Sequence, residues 1–180
     1  MGIGNVVVLS GSPRKGGNTD RLAAAFAKGA ESQGKTVTHF RVADMTIGGC
    51  RGCSFCIENH GACVQKDDMP PVLDALRQAD AVVFASPIYF FDMSAQLKLA
   101  IDRTYALLGD KTPVKRAALL LTCGDKEEVA AEGSIVTYNH ILSYQKWDNA
   151  GIIVATGLHA MDDIEGYEEL ERAEKLGREI

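Results

Sequence analysis

Continuous apolar runs alternate with stretches of helical period along the whole chain. Residues 6–9, 81–85, 117–121 and 151–155 are uninterrupted apolar segments, the pattern of parallel strands covered by helices on both faces. Residues 36–42 are more polar and predict an edge strand. Between the runs, Leu22, Phe26 and Ala30 recur at helical spacing, and Leu97, Ile101, Tyr105 and Leu108 form a comparable stripe. Pro70 and Pro71, just after Asp67 and Asp68, suit the first turn of another helix with an Asp as its cap. Further helices are predicted over 129–146 and 167–178. Strand and helix thus alternate five times, which predicts an α/β fold of three layers: a doubly wound, five-stranded parallel sheet in the order 2-1-3-4-5 with right-handed crossovers. The whole chain, 1–180, reads as one domain without repeats or linkers. One stretch breaks the rhythm: residues 45–69, polar and rich in Gly and Cys, are inserted between the second strand and its helix. Loops that long in compact domains are usually functional or disordered.

Composition narrows the function classes. The chain has 180 residues, 46% of them apolar and 24% charged, a size that suits one globular domain. Nineteen Lys and Arg against 24 Asp and Glu give a formal net charge of −5. No global basic field is therefore present to meet a nucleic-acid backbone or an anionic membrane. No apolar run approaches the roughly 20 residues needed to span a bilayer, and residues 1–9 show neither a charged n-region nor a small-residue cleavage site. A cytoplasmic protein with no nucleic-acid or membrane partner is expected. Four of the five cysteines fall between Cys50 and Cys63. An odd total in a cytoplasmic protein argues against a disulfide framework.

The first strand runs into a loop containing Ser10, Gly11, Ser12, Arg14, Gly16, Gly17, Asn18 and Thr19, which opens the first helix. Hydroxyls, an amide, glycines and a helix N-terminus together offer donors for an anion, the form of a mononucleotide phosphate site. The spacing fits neither the G-x-G-x-x-G dinucleotide fingerprint nor the G-x-x-x-x-G-K-[ST] triphosphate loop. The third strand ends in Ser86, Pro87, Ile88, Tyr89, Phe90, Phe91 and Asp92. Three successive aromatics gain little from water, and a flat heterocycle would give them a purpose. In the order 2-1-3-4-5 the first and third strands are neighbours at the switch point, so both loops border one crevice.

These loops, with Asp67-Asp-Met69, Ala79-Asp-Ala-Val-Val-Phe-Ala-Ser-Pro-Ile-Tyr-Phe90, Ser94-Ala-Gln-Leu-Lys98 and Ile101-Asp-Arg103, resemble the NADPH-dependent FMN reductase family of flavodoxin-like proteins. The match is close over about residues 5–125. The resemblance implies a flavodoxin-like fold that binds FMN without a covalent bond. Ser10, Ser12, Asn18 and Thr19 would hold the phosphate with Arg14 nearby, and Pro87, Ile88, Tyr89 and Phe90 would line the ring. Thr122, Cys123 and Gly124 would supply a third wall, with Cys123 as a small apolar residue at a strand end. Family members often associate through their flavin-side loops, which implies a homodimer or homotetramer.

Cys50, Cys53, Cys56 and Cys63 pack four thiols into one loop. Four thiolates so close suit a soft metal or a cluster, and the first three have the spacing of bacterial ferredoxin runs. Zinc is a second reading, with His60 as an alternative ligand, and plain thiols are a third. Within the wider family this compact motif resembles the iron-sulfur flavoproteins, which implies a [4Fe–4S] cluster beside FMN. Because the loop follows the second strand, the thiols are expected on the crevice edge of the sheet, beside this chain's FMN or a neighbour's.

The resemblance implies an NAD(P)H-dependent oxidoreductase, with NADPH as the expected donor and a small-molecule or protein acceptor. A second reading is an iron-sulfur flavoprotein relaying electrons between FMN, the cluster and a ferredoxin-like partner. A third is a binding or sensing module that keeps the fold without the activity. His39, His140 and His159 are isolated and read as surface or packing residues. No catalytic acid, base or nucleophile is named, because the chemistry would belong to the cofactor.

Overall fold

The computed structural model describes residues 4–108 and 112–180. The first three residues of the opening stretch, on which the cytoplasmic expectation drew, lie outside them. Five parallel strands, β1 (Asn5–Ser10), β2 (Thr36–Arg41), β3 (Ala81–Tyr89), β4 (Arg116–Thr122) and β5 (Asp148–Ala155), lie in the order β2-β1-β3-β4-β5. The expected order is found, with β2 on an edge. A further strand was not foreseen: Asp92–Met93 returns antiparallel onto the end of β3.

Alternation along the strands explains the two covered faces. In β1, Val7 and Leu9 enter one apolar core while Val6 and Val8 enter the other, because successive side chains point to opposite faces. Helices α1 (Asn18–Ser32) and α5 (Glu168–Glu179) cover the second core through Leu22, Phe26, Ala30 and Ala173. Helices α2 (Met69–Leu76), α3 (Ala95–Arg103) and α4 (Glu132–Gln145) cover the first through Val72, Leu76, Leu97, Ile101, Tyr138 and Leu142. Two sequence expectations shift. The stripe through Tyr105 breaks because α3 ends at Arg103 and a tighter turn follows over Thr104–Leu107, leaving Tyr105 exposed. The helix expected from 129 begins as a short 3-10 turn, Glu128–Ala131, and becomes α-helical at Glu132. Among the described residues, no helix is long and apolar enough to cross a membrane.

Helices α1 and α5 meet at two glycines. A Cβ on Gly177 would lie 2.0 Å from the Phe26 carbonyl oxygen, and one on Gly29 would lie 1.9 Å from that of Glu174. Both obstacles are backbone, so neither side can yield without moving a helix. Lys28 bridges to Glu174 at 2.8 Å across the same contact. An ordinary Gly to Ala change inside an exposed helix gains up to about 1 kcal/mol of helix propensity. Gly177→Ala is expected to do the opposite, destabilising the fold by about 1–3 kcal/mol as overpacking, measured by urea denaturation. A gain in stability would show that the helices are not locked at this crossing.

Candidate functional site

The end of β1 is fastened to the start of α3. The Gly11 N–H donates to the Ala85 carbonyl at 2.9 Å, continuing the sheet one residue past β1. The Ser94 hydroxyl donates to the Gly11 carbonyl at 2.8 Å and accepts from the Leu97 N–H at 3.4 Å, capping α3. The Ser94 N–H in turn donates to the Ser86 hydroxyl at 2.9 Å. A Cβ on Gly11 would sit 2.4 Å from the Ser94 oxygen and 2.6 Å from the Leu97 Cβ, so the approach requires glycine.

Beyond this junction, at the C-terminal ends of β1, β3 and β4, lies a crevice of about 200 Å³. Ser12, Arg14, Asn18 and Thr19 line one side. Pro87, Ile88 and Tyr89 line a second, and Thr122, Cys123 and Gly124 a third. Leu158 and His159, from the loop after β5, complete it. Ser10 and Phe90 do not line it. The Ser10 hydroxyl is fully buried and donates to Asp20 Oδ1 at 3.1 Å. Phe90 is 98% exposed.

The loop before α1 is shaped by an ion pair behind it. Asp20 accepts from the Gly16 N–H at 2.8 Å and pairs with Arg41, whose guanidinium also donates to the Ser12 carbonyl at 3.1 Å and to Asp44 at 2.9 Å. Arg41 beside it holds the Asp44 carboxyl below the ordinary aspartate value. Arg41 thus neutralises a carboxylate that would otherwise repel an anion at the start of α1. In front, Thr19 and Thr122 share a hydrogen bond of 2.7 Å between hydroxyls. The Asn18 amide donates to Ala160 at 2.6 Å and accepts from Ile164 at 3.2 Å, tying down the loop after β5. Arg14 reaches the same loop, donating to the His159 carbonyl at 3.0 Å. Hydroxyls, a guanidinium and the N-terminus of a 15-residue helix face an apolar wall across one crevice. That donor set fits a mononucleotide carrying a planar ring. Burial, then nearby Asp125, pushes the Cys123 thiol pKa up, so it stands there as a neutral thiol.

Tyr89 and Asp92 pair across a turn made by Phe90 and Phe91, with φ of 49° and 66°. Positive φ at both central residues is the signature of a type I′ hairpin, which ordinarily takes Asn-Gly. Two phenylalanines in left-handed backbone are a strained choice.

The cysteine loop is ordered around α3. Cys50, Cys53, Cys56 and Cys63 all line one small cavity of about 20 Å³, together with Arg103, Tyr105 and Ala106, while His60 is not on its wall. Arg103 is buried and forked onto Asp67: Nη2 donates to Oδ1 at 3.0 Å, and Nη1 to Oδ2. Its Nη1 also donates to the Gly48 carbonyl at 2.8 Å, and Nη2 to Cys63 Sγ at 3.4 Å. Arg103 holds the Asp67 carboxyl below its ordinary value. Among the described residues, no three His, Cys, Asp or Glu side chains are gathered as a metal-holding group. Ser94, at the start of α3, touches the crevice junction, whereas Arg103, at its other end, touches the thiols. Ser94 and Arg103 thus mark the two ends of α3, about 13 Å apart along its axis at 1.5 Å per residue.

Several site residues were not readable in the sequence. His159 and Leu158 sit in a loop with no motif, and Asp20 and Arg41 lie 21 positions apart. Asp67 and Arg103 were visible only within quoted motifs, as a helix cap and a helix end; their pairing across 36 positions carried no local signal.

Comparison with known proteins places these features in context. The model of the NADPH-dependent FMN reductase family matches residues 5–138. An iron-sulfur flavoprotein of Archaeoglobus fulgidus is 32% identical over 97% of this chain and 77% of its own length. One from Methanocaldococcus jannaschii is 36% identical over 57% of this chain, which spans only 52% of that protein. Among solved structures, an NAD(P)H:quinone oxidoreductase of Methanothermobacter marburgensis superposes with a TM-score of 0.79 over 99% of this chain and 96% of its own, at 21% identity. That last likeness is one of fold.

Two outcomes follow from the geometry. Because Phe90 makes no buried contact, Phe90→Asn should relieve the turn and stabilise the chain by up to about 1 kcal/mol, read from its denaturation midpoint; a loss would contradict the strained turn. Asp67 has its pKa lowered in the fold, so its contribution is complete above the unfolded value near 3.8 and lost as pH falls below it. Asp67→Asn should therefore flatten the acid limb of the stability curve, measured by thermal melts between pH 2 and about 6. An acid limb as steep as that of the parent protein would show that Asp67 contributes nothing there.

Proposed function

The chain belongs to the NADPH-dependent FMN reductase family and is accordingly an FMN-dependent oxidoreductase, and we propose that its crevice holds FMN with the phosphate on Ser12, Asn18, Thr19 and Arg14. The observation that carries this placement is the meeting of anion donors at the start of α1 with the apolar wall of Pro87, Ile88 and Tyr89 in one crevice. FMN held there would supply the redox chemistry between a reduced nicotinamide and an acceptor. The chain's own part is to hold and orient. Thr19 in the first turn of α1 and Thr122 at the end of β4, already hydrogen-bonded to each other, offer hydroxyls from two elements. Tyr89, half exposed at the rim, would cover the ring edge and limit water. Ser10 acts from behind through Asp20, and Phe90 stands outside the pocket. NADPH is the proposed donor, and the acceptor is a small molecule or a protein. Assembly with further copies is proposed through the flavin-side loops, where Phe90 and Phe91 stand exposed.

A second reading concerns the cysteine loop: that its four thiols hold a [4Fe–4S] centre, the archaeal relatives being named iron-sulfur flavoproteins. Four sulfurs on one cavity wall, with a buried guanidinium beside them, fit such a centre in donor chemistry. A centre there would supply one-electron transfer toward a ferredoxin-like partner.

Protein purified without oxygen should be yellow, and its flavin bands should bleach on adding NADPH. Bleaching only with reduced ferredoxin or dithionite would instead favour the electron-transfer role. Ser12→Ala and Thr19→Ala should each weaken FMN binding roughly tenfold or more, since hydrogen bonds to charged groups contribute about 1.5–3 kcal/mol. Unchanged affinity in both would move the phosphate elsewhere.

A further inference from the structure

A buried guanidinium with one N–H unspent stands behind the cysteine loop. Arg103 has a side chain 1% exposed. A guanidinium carries five N–H donors in a fixed fork. In the fold, Nη1 serves the Gly48 carbonyl and Asp67, and Nη2 serves Asp67 and the Cys63 sulfur. The remaining donor, Nε–H, is buried and has no partner. Leaving such a donor unsatisfied costs about 1–3 kcal/mol, so its position asks for an acceptor. The same residue lines the cavity shared by Cys50, Cys53, Cys56 and Cys63, with Arg51 and Gln65 also on its wall.

We propose that Arg103 is a positioning residue of the cysteine loop: clamped by Asp67, it holds the Cys63 sulfur and presents its free N–H and its charge to a sulfur-ligated centre on the four thiols. The inference rests on the iron-sulfur reading of the loop. Asp67 serves two roles in it. Its fork fixes the plane of the guanidinium, and its Oδ1 and Oδ2 also accept from the backbone N–H groups of Met69 and Gly48, at 3.2 and 3.1 Å, so the clamp is anchored on both flanks of the loop. Arg103 is therefore held in place by the chain. Hydrogen bonds to cluster sulfurs and nearby charge set the reduction potential of such centres. A cation and an N–H donor stabilise the more negative, reduced form, so Arg103 raises the potential.

The test compares the parent protein with Arg103→Lys and Arg103→Met, each reconstituted anaerobically with iron and sulfide. Iron and sulfide content are measured alongside bound flavin as a check on folding, and midpoint potentials come from spectroelectrochemistry. Arg103→Met is expected to shift the potential of the centre negative by at least tenfold in its reduction equilibrium, about 59 mV for one electron. Arg103→Lys, which keeps the charge and loses the fork, should fall between. If Arg103→Met does not fold, the Arg103→Lys shift decides alone. A parent protein that binds flavin but loads no iron and sulfide overturns the iron-sulfur reading and this inference with it. A parent that loads the centre, with unchanged potentials in the folded variants, overturns this inference and leaves that reading standing.

Discussion

The site depends on one crowded junction, where the carbonyl of Gly11 accepts from the hydroxyl of Ser94. The first strand delivers the loop that opens α1, and the third delivers the turn that opens α3. These segments are brought side by side by sheet order, but sheet order alone leaves room between them. The missing side chain at Gly11 closes that room, and the Ser86, Ser94 and Leu97 hydrogen bonds fix it. A larger residue at position 11 would push the anion donors away from the apolar wall of Pro87, Ile88 and Tyr89. Both halves of the crevice thus inherit their spacing from a contact that lines neither.

Two buried or half-buried ion pairs repeat one device on different loops. Arg41 answers Asp20 behind the loop before α1, and Arg103 answers Asp67 behind the cysteines. In each case the arginine also donates to a loop carbonyl, Ser12 or Gly48. Removing one partner of such a pair leaves an uncompensated charge and is costly, while the intact pair adds little net stability. Their value here is geometric. An irregular loop has few backbone partners of its own, and the forked guanidinium supplies them from a rigid element.

Much of the fold was legible because buried parallel strands leave continuous apolar runs, and the runs ending at Leu9, Ala85, Leu121 and Ala155 all fall inside strands. The Asp92–Met93 return was not legible, since Phe90 and Phe91 carry none of the Asn or Gly that normally announces a two-residue turn. The loop before α1 gave away Ser12, Asn18 and Thr19 through residue type, but Ser10 belongs to the strand and its hydroxyl is taken by Asp20. His159 was passed over because a single histidine has no spacing to read; only the sheet order brings it opposite Gly124. The cysteines advertised their chemistry, whereas their distance from the crevice depended on how a long loop wraps one helix. No periodicity encodes that.

The tight crossing of α1 and α5 also sets an order of events. Lys28 and Glu174 lie 146 positions apart, and α1 buries its inner face largely against a helix made after every strand of the sheet. At about 5–20 residues per second of synthesis, α1 waits on the order of ten seconds for that partner. During that interval Phe26 and Ala30 have no helix to cover them, and closing so long a loop is slow by its nature. The nascent chain therefore carries a transient sticky surface on the helix whose first turn borders the crevice, and a chaperone that shields α1 would guard that border as well.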